Sequence, residues 1–464
     1  MDKKYQGEKI FITILAGIIL GFFLTFSPGG LFIIFLAFIT ILFIRRIPDS
    51  YERNFILKLF IFALLARFFF SLVTMYLATF TDKILNYTSL GSPNYSTPYI
   101  IDDSGYYTLR AIFTADYWMG KPLDWYTREA IVKNAYGFSG FIYALAAFFY
   151  LFGYSPISSR LINCLLGSVT VILIYYIVKN IFGPKPARLS AILTAFFPSM
   201  FLWSITNLKD TSFIFIVYLM IWSIIKFRIS KKYYYIFIAI FSIWLQFVIR
   251  SAYNELLLFN IGVFIFYFCY LFIANSIKRK KFYFLIPLFF ITILLLFFEI
   301  GKLNHILEFI KQKSFLIHKG VISEGGSCYY LLPRELFNRT GINNLDFFNM
   351  IVKGWIHVLF EPFPWKISSL PMLSSLPQMI FWYILIFYSF LGMGISLRYN
   401  FNDSLILVLY LFVMVSILAV TGGNIGTIFR LREVITPTLI IFSSVALMNI
   451  FGSLDLQLDS KKEK

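Results

Sequence analysis

Long apolar runs separated by short polar breaks make up most of this chain. Twelve of these runs are long enough, or nearly so, to cross a lipid bilayer as helices. They lie at 10–26, 30–44, 55–80, 160–179, 189–207, 211–227, 233–249, 252–276, 282–300, 378–397, 404–421 and 434–452. Helices are predicted because the bilayer interior offers no hydrogen-bond partner to the backbone of an open strand. The pattern therefore predicts an all-α polytopic membrane protein with about 12 transmembrane helices.

One apolar segment, at 138–152, decides the predicted topology. It has about 15 residues, which is short for a span. If it does not cross the membrane, all the basic clusters between spans fall on one side, as expected for cytoplasmic loops. The clusters lie around Lys3, Arg45, Lys185, Lys226, Lys278, Arg398 and Lys461. We therefore predict a multi-pass protein of the plasma or inner membrane with both termini cytoplasmic.

Two long segments, 81–159 and 301–377, then lie on the outer side as loops that contain juxtamembrane helices. Loops of this length are uncommon unless they have a function. The predicted organisation is a two-span hairpin at 1–54 with a tight turn at Pro28-Gly29-Gly30, and a core at 55–300. The second outer loop follows, and then C-terminal spans and a cytoplasmic tail at 378–464.

Composition agrees with a membrane protein and excludes some classes of function. Hydrophobic residues make up 59% and charged residues 14% of the chain, whereas soluble domains are about 25% charged. The formal charge of +18 is largely explained by the short basic clusters, so no nucleic-acid partner is predicted. Cys164 and Cys269 lie in apolar runs and Cys328 in a polar loop, so no disulfide framework is predicted.

Three carboxylates are the strongest candidates for chemistry. Asp102 and Asp103 are adjacent in the first outer segment, and Asp210 begins a span on the same predicted side. Paired carboxylates can supply a general base, with the neighbour orienting the acceptor or a cation. The alternatives are a solvated acidic turn for the pair and a helix cap for Asp210. Lys209 could neutralise a phosphate or pair with Asp210.

Four arginines fall on the outer side, against the usual bias. They are Arg160, Arg250, Arg430 and Arg432. Guanidinium groups at helix ends suit the recognition of a phosphate or pyrophosphate head group through paired hydrogen bonds. The alternative for each is snorkelling to the membrane surface.

Other motifs are weaker. The three histidines, His305, His318 and His357, have no metal-ligand spacing, and no Gly-rich phosphate loop occurs, which argues against a nucleotide substrate. The segment 359–365, Leu-Phe-Glu-Pro-Phe-Pro-Trp, is predicted to lie at the membrane interface.

Several of these features follow each other in a characteristic order. The acidic pair is followed by an aromatic residue, a Leu-Phe-Gly turn, a span that opens on Arg-Leu, a Phe-Gly-basic turn and a Pro-containing span that ends at a second acid. The residues are Asp102-Asp103 with Tyr106, Leu151-Phe152-Gly153, Arg160-Leu161, Phe182-Gly183-Pro184-Lys185, and Pro198 to Asp210. This order, over about 55–260, resembles the GT-C class of membrane glycosyltransferases, especially the protein-mannosyltransferase and lipid A aminoarabinose-transferase branch.

The resemblance implies a function at the outer face of the membrane. Asp102 would be the base that activates an acceptor hydroxyl, and Asp210 would help to shape the site. The donor would be a sugar on a polyprenyl phosphate, the reaction would invert the sugar, and the acceptor would be a glycan, lipid or protein. A divalent cation is left open. The alternatives are a lipid-linked polysaccharide polymerase and a flippase or transporter of lipid-linked glycans.

Overall fold

The computed structural model describes a chain whose ordered elements are helices. Residues 27–85, 102–125, 128–129, 139–249, 262, 266–267, 270, 308–323, 328–338, 341–366 and 370–451 are described. The helices are α1 (Pro28–Arg45), α2 (Ser50–Leu85), α3 (Asp102–Trp118), α4 (Gly140–Phe152), α5 (Pro156–Phe182), α6 (Pro184–Phe196), α7 (Pro198–Ser204), α8 (Lys209–Ser230), α9 (Tyr234–Ile249), α10 (308–323), α11 (Asn344–Phe360), α12 (Leu370–Tyr399), α13 (Phe401–Thr421), α14 (Ile425–Leu431) and α15 (Thr436–Ile450). Within these ranges there is no strand, and one isolated bridge pairs Cys328 with Asn424.

Six of the described helices are long and apolar enough to cross a membrane. The spans are Pro28–Arg45, Ser50–Leu77, Ile157–Phe182, Lys209–Ser230, Ser375–Tyr399 and Phe401–Thr421. A seventh is added if Ile425–Val434 and Thr436–Ile450, which are bent by 62°, form one span. The all-helical membrane class is thus confirmed. The number 12 stays a prediction. The runs at 10–26, 252–276 and 282–300 lie wholly or mostly outside the described residues, and the run at 233–249 forms α9, whose 16 residues are short for a span.

Two apolar runs differ from a simple span. The run at 138–152 contains α4, whose 13 residues extend over about 20 Å, less than the thickness of a bilayer core. The run at 189–207, predicted as one span, is divided between α6 and α7 at Phe197. Phe197 has extended backbone angles because the following Pro198 disfavours a helical conformation in the residue before it.

The start of α1 also differs from the prediction. Pro28, Gly29 and Gly30 form the first helical turn rather than a tight hairpin turn. Ser27 caps this turn, since its side chain accepts a hydrogen bond of 3.1 Å from the N–H of Gly30. Proline suits the first position of a helix because its missing N–H would have no partner there.

The chain divides into two compact units. Unit 1 comprises Met1–Leu173, Ala191–Met220 and Phe237–Ala252, and unit 2 comprises Ile174–Ser190, Ile221–Ile236 and Tyr253–Lys464. In unit 1, α3 packs on α4.

In unit 2, α12 packs on α15 and α11 packs on α13. Glycines allow both contacts. A Cβ atom at Gly392 would overlap the carbonyl oxygen of Phe442, and one at Gly354 would overlap that of Ala419.

Candidate active site

The turn between α7 and α8, residues 205–208, is the centre of a buried polar network in unit 1. Asn207 donates three of the hydrogen bonds in this network. Its backbone N–H donates to Ser104 Oγ at 3.1 Å, and its Nδ2 donates to Thr108 Oγ1 at 3.0 Å and to Ser159 Oγ at 2.7 Å. Ser104 and Thr108 are one turn apart in α3, and Ser159 lies near the start of α5. Asn207 therefore joins its own turn to α3 and α5.

Asn163, one turn after Ser159 in α5, holds the same turn from its other side. Its Nδ2 donates to the carbonyl oxygens of Thr206 at 2.6 Å and Leu208 at 2.8 Å, and its Oδ1 accepts from Ser212 Oγ at 3.2 Å. Buried carbonyl groups of a turn need such donors because no helix supplies them. The two asparagines thus fix the backbone that leads into α8.

Asp210 lies in the first turn of α8 and is only 1% exposed. A carboxylate here is favoured by the positive end of the helix dipole. Lys209, just before it, is also buried, and its Nζ lies 5.3 Å from the centre of the Tyr107 ring. Since Tyr107 belongs to α3, the start of α8 contacts α3 through a side chain as well as through Asn207.

Asp102 and Asp103 are the first two residues of α3. Their side chains lie outside the described part of the structure, so their distance to Asp210 stays a prediction. Their place in the chain is informative nonetheless. Ser104, which accepts a hydrogen bond from the N–H of Asn207, directly follows Asp103. Asn207, in turn, is three residues before Asp210. The two predicted acidic positions therefore belong to elements that are hydrogen-bonded to each other.

Tyr106 is half-buried one turn into α3, and its ring lies 4.9 Å from the Arg110 guanidinium. Burial raises the pKa of the Tyr106 hydroxyl, and the Arg110 charge opposes this shift. Arg160 is buried near the start of α5, next to Ser159. Arg250 lies outside the described residues.

The network contains residues that sequence reasoning missed. They are Arg67, Ser104, Thr108, Ser159, Asn163, Asn207 and Ser212. A signal for some of them was available, because the pairs Ser104/Thr108 and Ser159/Asn163 have the spacing of one helical face. Arg67 was a lone charge inside an apolar run, which is itself a pointer to function.

Arg432, the last of the predicted arginines, is fully buried in unit 2. Its guanidinium donates to the carbonyl oxygen of Glu361 at 2.6 Å and contacts Met379 Sδ at 3.1 Å. It also lies 4.2 Å from the Trp382 ring and 4.4 Å from the Phe429 ring. These contacts tie the segment after α11 to the segment after α14. A role of Arg432 or of the half-buried Arg430 towards substrate stays a prediction.

The segment 359–365 contributes a second polar cluster to unit 2. Glu361 is buried, and its carboxylate binds His357 Nδ1 at 2.9 Å and accepts the N–H of Phe363 at 3.0 Å. The Tyr329 ring stacks on the His357 ring at 4.1 Å. Part of this segment is thus built into the protein, while Trp365 is exposed and remains available to an interface.

His318 joins α10 to two other parts of unit 2. Its Nε2 accepts the N–H of Leu331 at 3.2 Å, so Nδ1 carries the proton and donates to the Gly422 carbonyl oxygen at 2.7 Å. Burial lowers the pKa of His318, and the bond to Gly422 opposes this shift. Both ring nitrogens are therefore used in holding the fold.

The described residues contain no group of three His, Cys, Asp or Glu side chains able to hold a metal ion. The side chains of Asp102 and Asp103 are not among them, so the predicted alternative of a divalent cation at the acidic pair is untested.

Comparison with known proteins gives one family match. Residues 140–298, about a third of the chain, match the model of the dolichyl-phosphate-mannose-protein mannosyltransferase family. No curated protein matches the sequence. The matched segment includes Arg160, Lys209, Asp210 and Arg250, whereas the acidic pair precedes it. Together with the apolar helices, the match supports assignment of the chain to the membrane glycosyltransferases of the GT-C type.

Proposed function

We propose that the protein transfers a sugar from a polyprenyl-phosphate donor to an acceptor hydroxyl at the outer face of the membrane, with inversion at the anomeric carbon. The observation that supports this most is the hydrogen bond from Asn207 N–H to Ser104 Oγ. It joins the element that begins with Asp102 and Asp103 to the turn before Asp210. A site with several carboxylates beside apolar spans suits a reaction on a lipid-linked substrate.

In this mechanism the reaction is a single displacement. Asp102 takes the proton of the acceptor hydroxyl as its oxygen bonds to the anomeric carbon, and the bond from that carbon to the phosphate oxygen breaks. Polyprenyl phosphate leaves with the electron pair. Asp103 orients the acceptor or a cation, and Asp210 shapes the site. A positioned general base of this kind contributes about 10²- to 10⁴-fold to the rate.

The negative charge of the leaving phosphate must be stabilised by nearby cationic groups. Arg160 and Lys209 are the described cationic groups that flank the polar network, and both are buried. Arg250 is the preferred phosphate ligand from the sequence, with Arg430 and Arg432 as the second choice. Preorganised cations act at such a site without reorganisation cost during the reaction. Tyr106 forms part of the substrate-binding wall.

The test is donor turnover by the purified protein in lipid nanodiscs. A panel of synthetic polyprenyl-phosphate hexoses and pentoses is offered with a cell-envelope extract as the source of acceptor. We expect one polyprenyl phosphate released for each sugar transferred, with the opposite anomer in the product by NMR. Movement of intact donor across a proteoliposome membrane without cleavage would instead indicate a flippase. Release of polyprenyl pyrophosphate from an added polyprenyl-pyrophosphate glycan, with no reaction of the monophosphate donors, would indicate a polymerase.

A further inference from the structure

Arg67 is a buried cation that the proposed mechanism does not use. It lies within the candidate span Ser50–Leu77 and is 1% exposed. A charged group at membrane depth is expensive, and its presence is by default a pointer to function. Ala63, Arg67 and Ser71 are spaced four residues apart, so they lie on one face of α2.

This face of α2 holds the end of α7 and the turn that follows it. Arg67 Nε donates to Ser204 Oγ at 2.9 Å, and Ser71 Oγ donates to the Ile205 carbonyl oxygen at 3.1 Å. The Arg67 guanidinium also lies 5.2 Å from the Phe201 ring. A second bond, from Arg67 Nη1 to the Ala63 carbonyl oxygen at 3.2 Å, fixes the guanidinium on its own helix. The contacts fall at the end of α7 and at Ile205, the first residue of the turn that contains Asn207.

Gly167 of α5 leaves the space that this contact needs. A Cβ atom at Gly167 would lie 2.9 Å from Ser204 Cβ and 3.1 Å from Arg67 Nε. Ser204 and Arg67 would then have to separate or shift. Three elements, α2, α5 and α7, are thus fitted around one hydrogen bond.

We propose that Arg67 is a positioning residue for the transfer reaction, acting through Ser204 on the turn that carries Asn207. By holding Ser204 in α7, it sets the turn 205–208, and through Asn207 it sets the start of α3, where Asp102 and Asp103 lie. The proposal rests on the proposed function. It assigns Arg67 no contact with substrate, because its side chain is enclosed.

A positioning role can be separated from a purely stabilising one. A buried charged group carries a desolvation cost, which an apolar residue of similar size does not have. Loss of rate without loss of stability in an apolar variant would therefore separate positioning from stabilisation. Arg67→Met keeps the length of the side chain but cannot donate to Ser204. Misplacement of a reacting group by about 1 Å can cost about 100-fold in rate.

The experiment compares kinetics and stability in the same variants. We expect Arg67→Met to lower kcat about 10- to 100-fold, with KM for the donor within about twofold of the wild type and with an unchanged or higher Tm. Arg67→Lys should recover part of kcat, because an ammonium can donate to Ser204 but not in the same geometry. Ser204→Ala should lower kcat in the same way, and the double variant should lose no more than either single one.

Gly167→Ala provides an independent variant that leaves both partners in place, and it should also lower kcat. Thr170→Val, one turn from Gly167 in the same helix, is the control. Thr170 is buried and bonds to Leu166 of its own helix, so its replacement should leave kcat unchanged.

A distance measurement reports on positioning without any turnover. One spin label is placed at Met119, just after the end of α3, and the other at Leu202 within α7; both positions are exposed. Cys269 and Cys328 are removed for this measurement, whereas Cys164 is fully buried and is kept. We expect Arg67→Met to broaden or shift this distance. An unchanged distance together with unchanged kcat, or a kcat loss matched by a fall in Tm, would overturn the proposal. If the wild type transfers no sugar, the proposed function fails, and the label distances alone then decide whether Arg67 sets the placement of α3.

Discussion

Asn207 and Ser104 are 103 residues apart in the chain, yet the N–H of Asn207 donates a hydrogen bond of 3.1 Å to Ser104 Oγ. Both residues are buried in unit 1. The bond attaches the first turn of α3 to the turn before α8. Because a buried N–H without an acceptor is costly, this bond is a constraint on where α3 can begin.

Loss of the Ser104 hydroxyl should destabilise unit 1. In Ser104→Ala the N–H of Asn207 is left buried without its acceptor, which costs about 1–3 kcal/mol. Ser242→Ala is the matched control, since Ser242 is equally buried in unit 1 but bonds to Ile238 of its own helix. The free energy of unfolding in detergent is measured for both. Equal effects in the two variants would show that the bond between Asn207 and Ser104 contributes little.

The sequence predicted the membrane class and the helices well, because apolar runs are read directly from composition and length. It could not predict which polar side chains meet. Asn163 and Asn207 attracted no attention, since an amide in an apolar run has no motif, and its role depends on the carbonyl groups that the fold brings near it. The bond between Glu361 and Arg432 was missed for the same reason, because the two residues are 71 positions apart. The bond between Glu361 and His357 is local, at a spacing of four residues.

The break at Phe197 could have been predicted, because Pro198 follows it and biases the preceding residue away from the helix. By contrast, the burial of Arg432 could not. Its sequence context of glycines and alternating basic residues is equally compatible with a surface loop, and the deciding contacts with Trp382 and Met379 are long-range.

The stability of the protein should fall in mild acid because of His318. Burial lowers the pKa of His318 in the folded state, while an unfolded histidine has a pKa of about 6.5. Below about pH 6.5 the unfolded state therefore binds a proton that the folded state does not, and stability is lost until the pH reaches the lowered folded pKa. Above about pH 6.5 histidine is neutral in both states, and His318 no longer lowers the stability of the folded protein.

Thermal unfolding between pH 8 and pH 5 is the measurement for His318. The wild type should lose stability on acidification, whereas His318→Gln, which cannot titrate, should lose less over the same range. An identical pH dependence in wild type and His318→Gln would contradict the assignment.

Arg432 should matter for the stability of unit 2. Its removal in Arg432→Ala leaves the Glu361 carbonyl oxygen without its donor and opens space between Trp382 and Phe429, so a loss of about 3–5 kcal/mol is expected. Lys366 is an exposed cation near the same segment, so Lys366→Ala should have little effect. Full stability of Arg432→Ala would argue that the guanidinium is retained for a ligand instead.

Donor affinity tests the predicted phosphate ligand. Arg250→Ala should weaken binding of polyprenyl-phosphate sugar strongly, because a phosphate without its cation near an apolar bundle is costly. Arg250→Lys should restore binding only in part, since an ammonium cannot make the paired bonds of a guanidinium. Affinity is measured in nanodiscs. Unchanged affinity in Arg250→Ala would show that Arg250 does not bind the donor phosphate.

The predicted sidedness can be checked by labelling single cysteines from outside intact cells. In a background without reactive native cysteines, positions Ser92 and Ser323 should be labelled and Lys280 should not. This follows from a segment 138–152 that does not cross the membrane. Labelling at position 280 would contradict this topology, either at 138–152 or at a span between Asp210 and position 280.

The most direct test of the account is sugar transfer by Asp102→Asn compared with Asp103→Asn. The asparagine keeps the size of the side chain but cannot take a proton, so Asp102→Asn should lower the rate about 10²- to 10⁴-fold, with Tm and donor affinity unchanged. Asp103→Asn, whose role is orientation, should lose less. Transfer at the wild-type rate by Asp102→Asn, in a protein that binds donor normally, would contradict the assignment of the catalytic base.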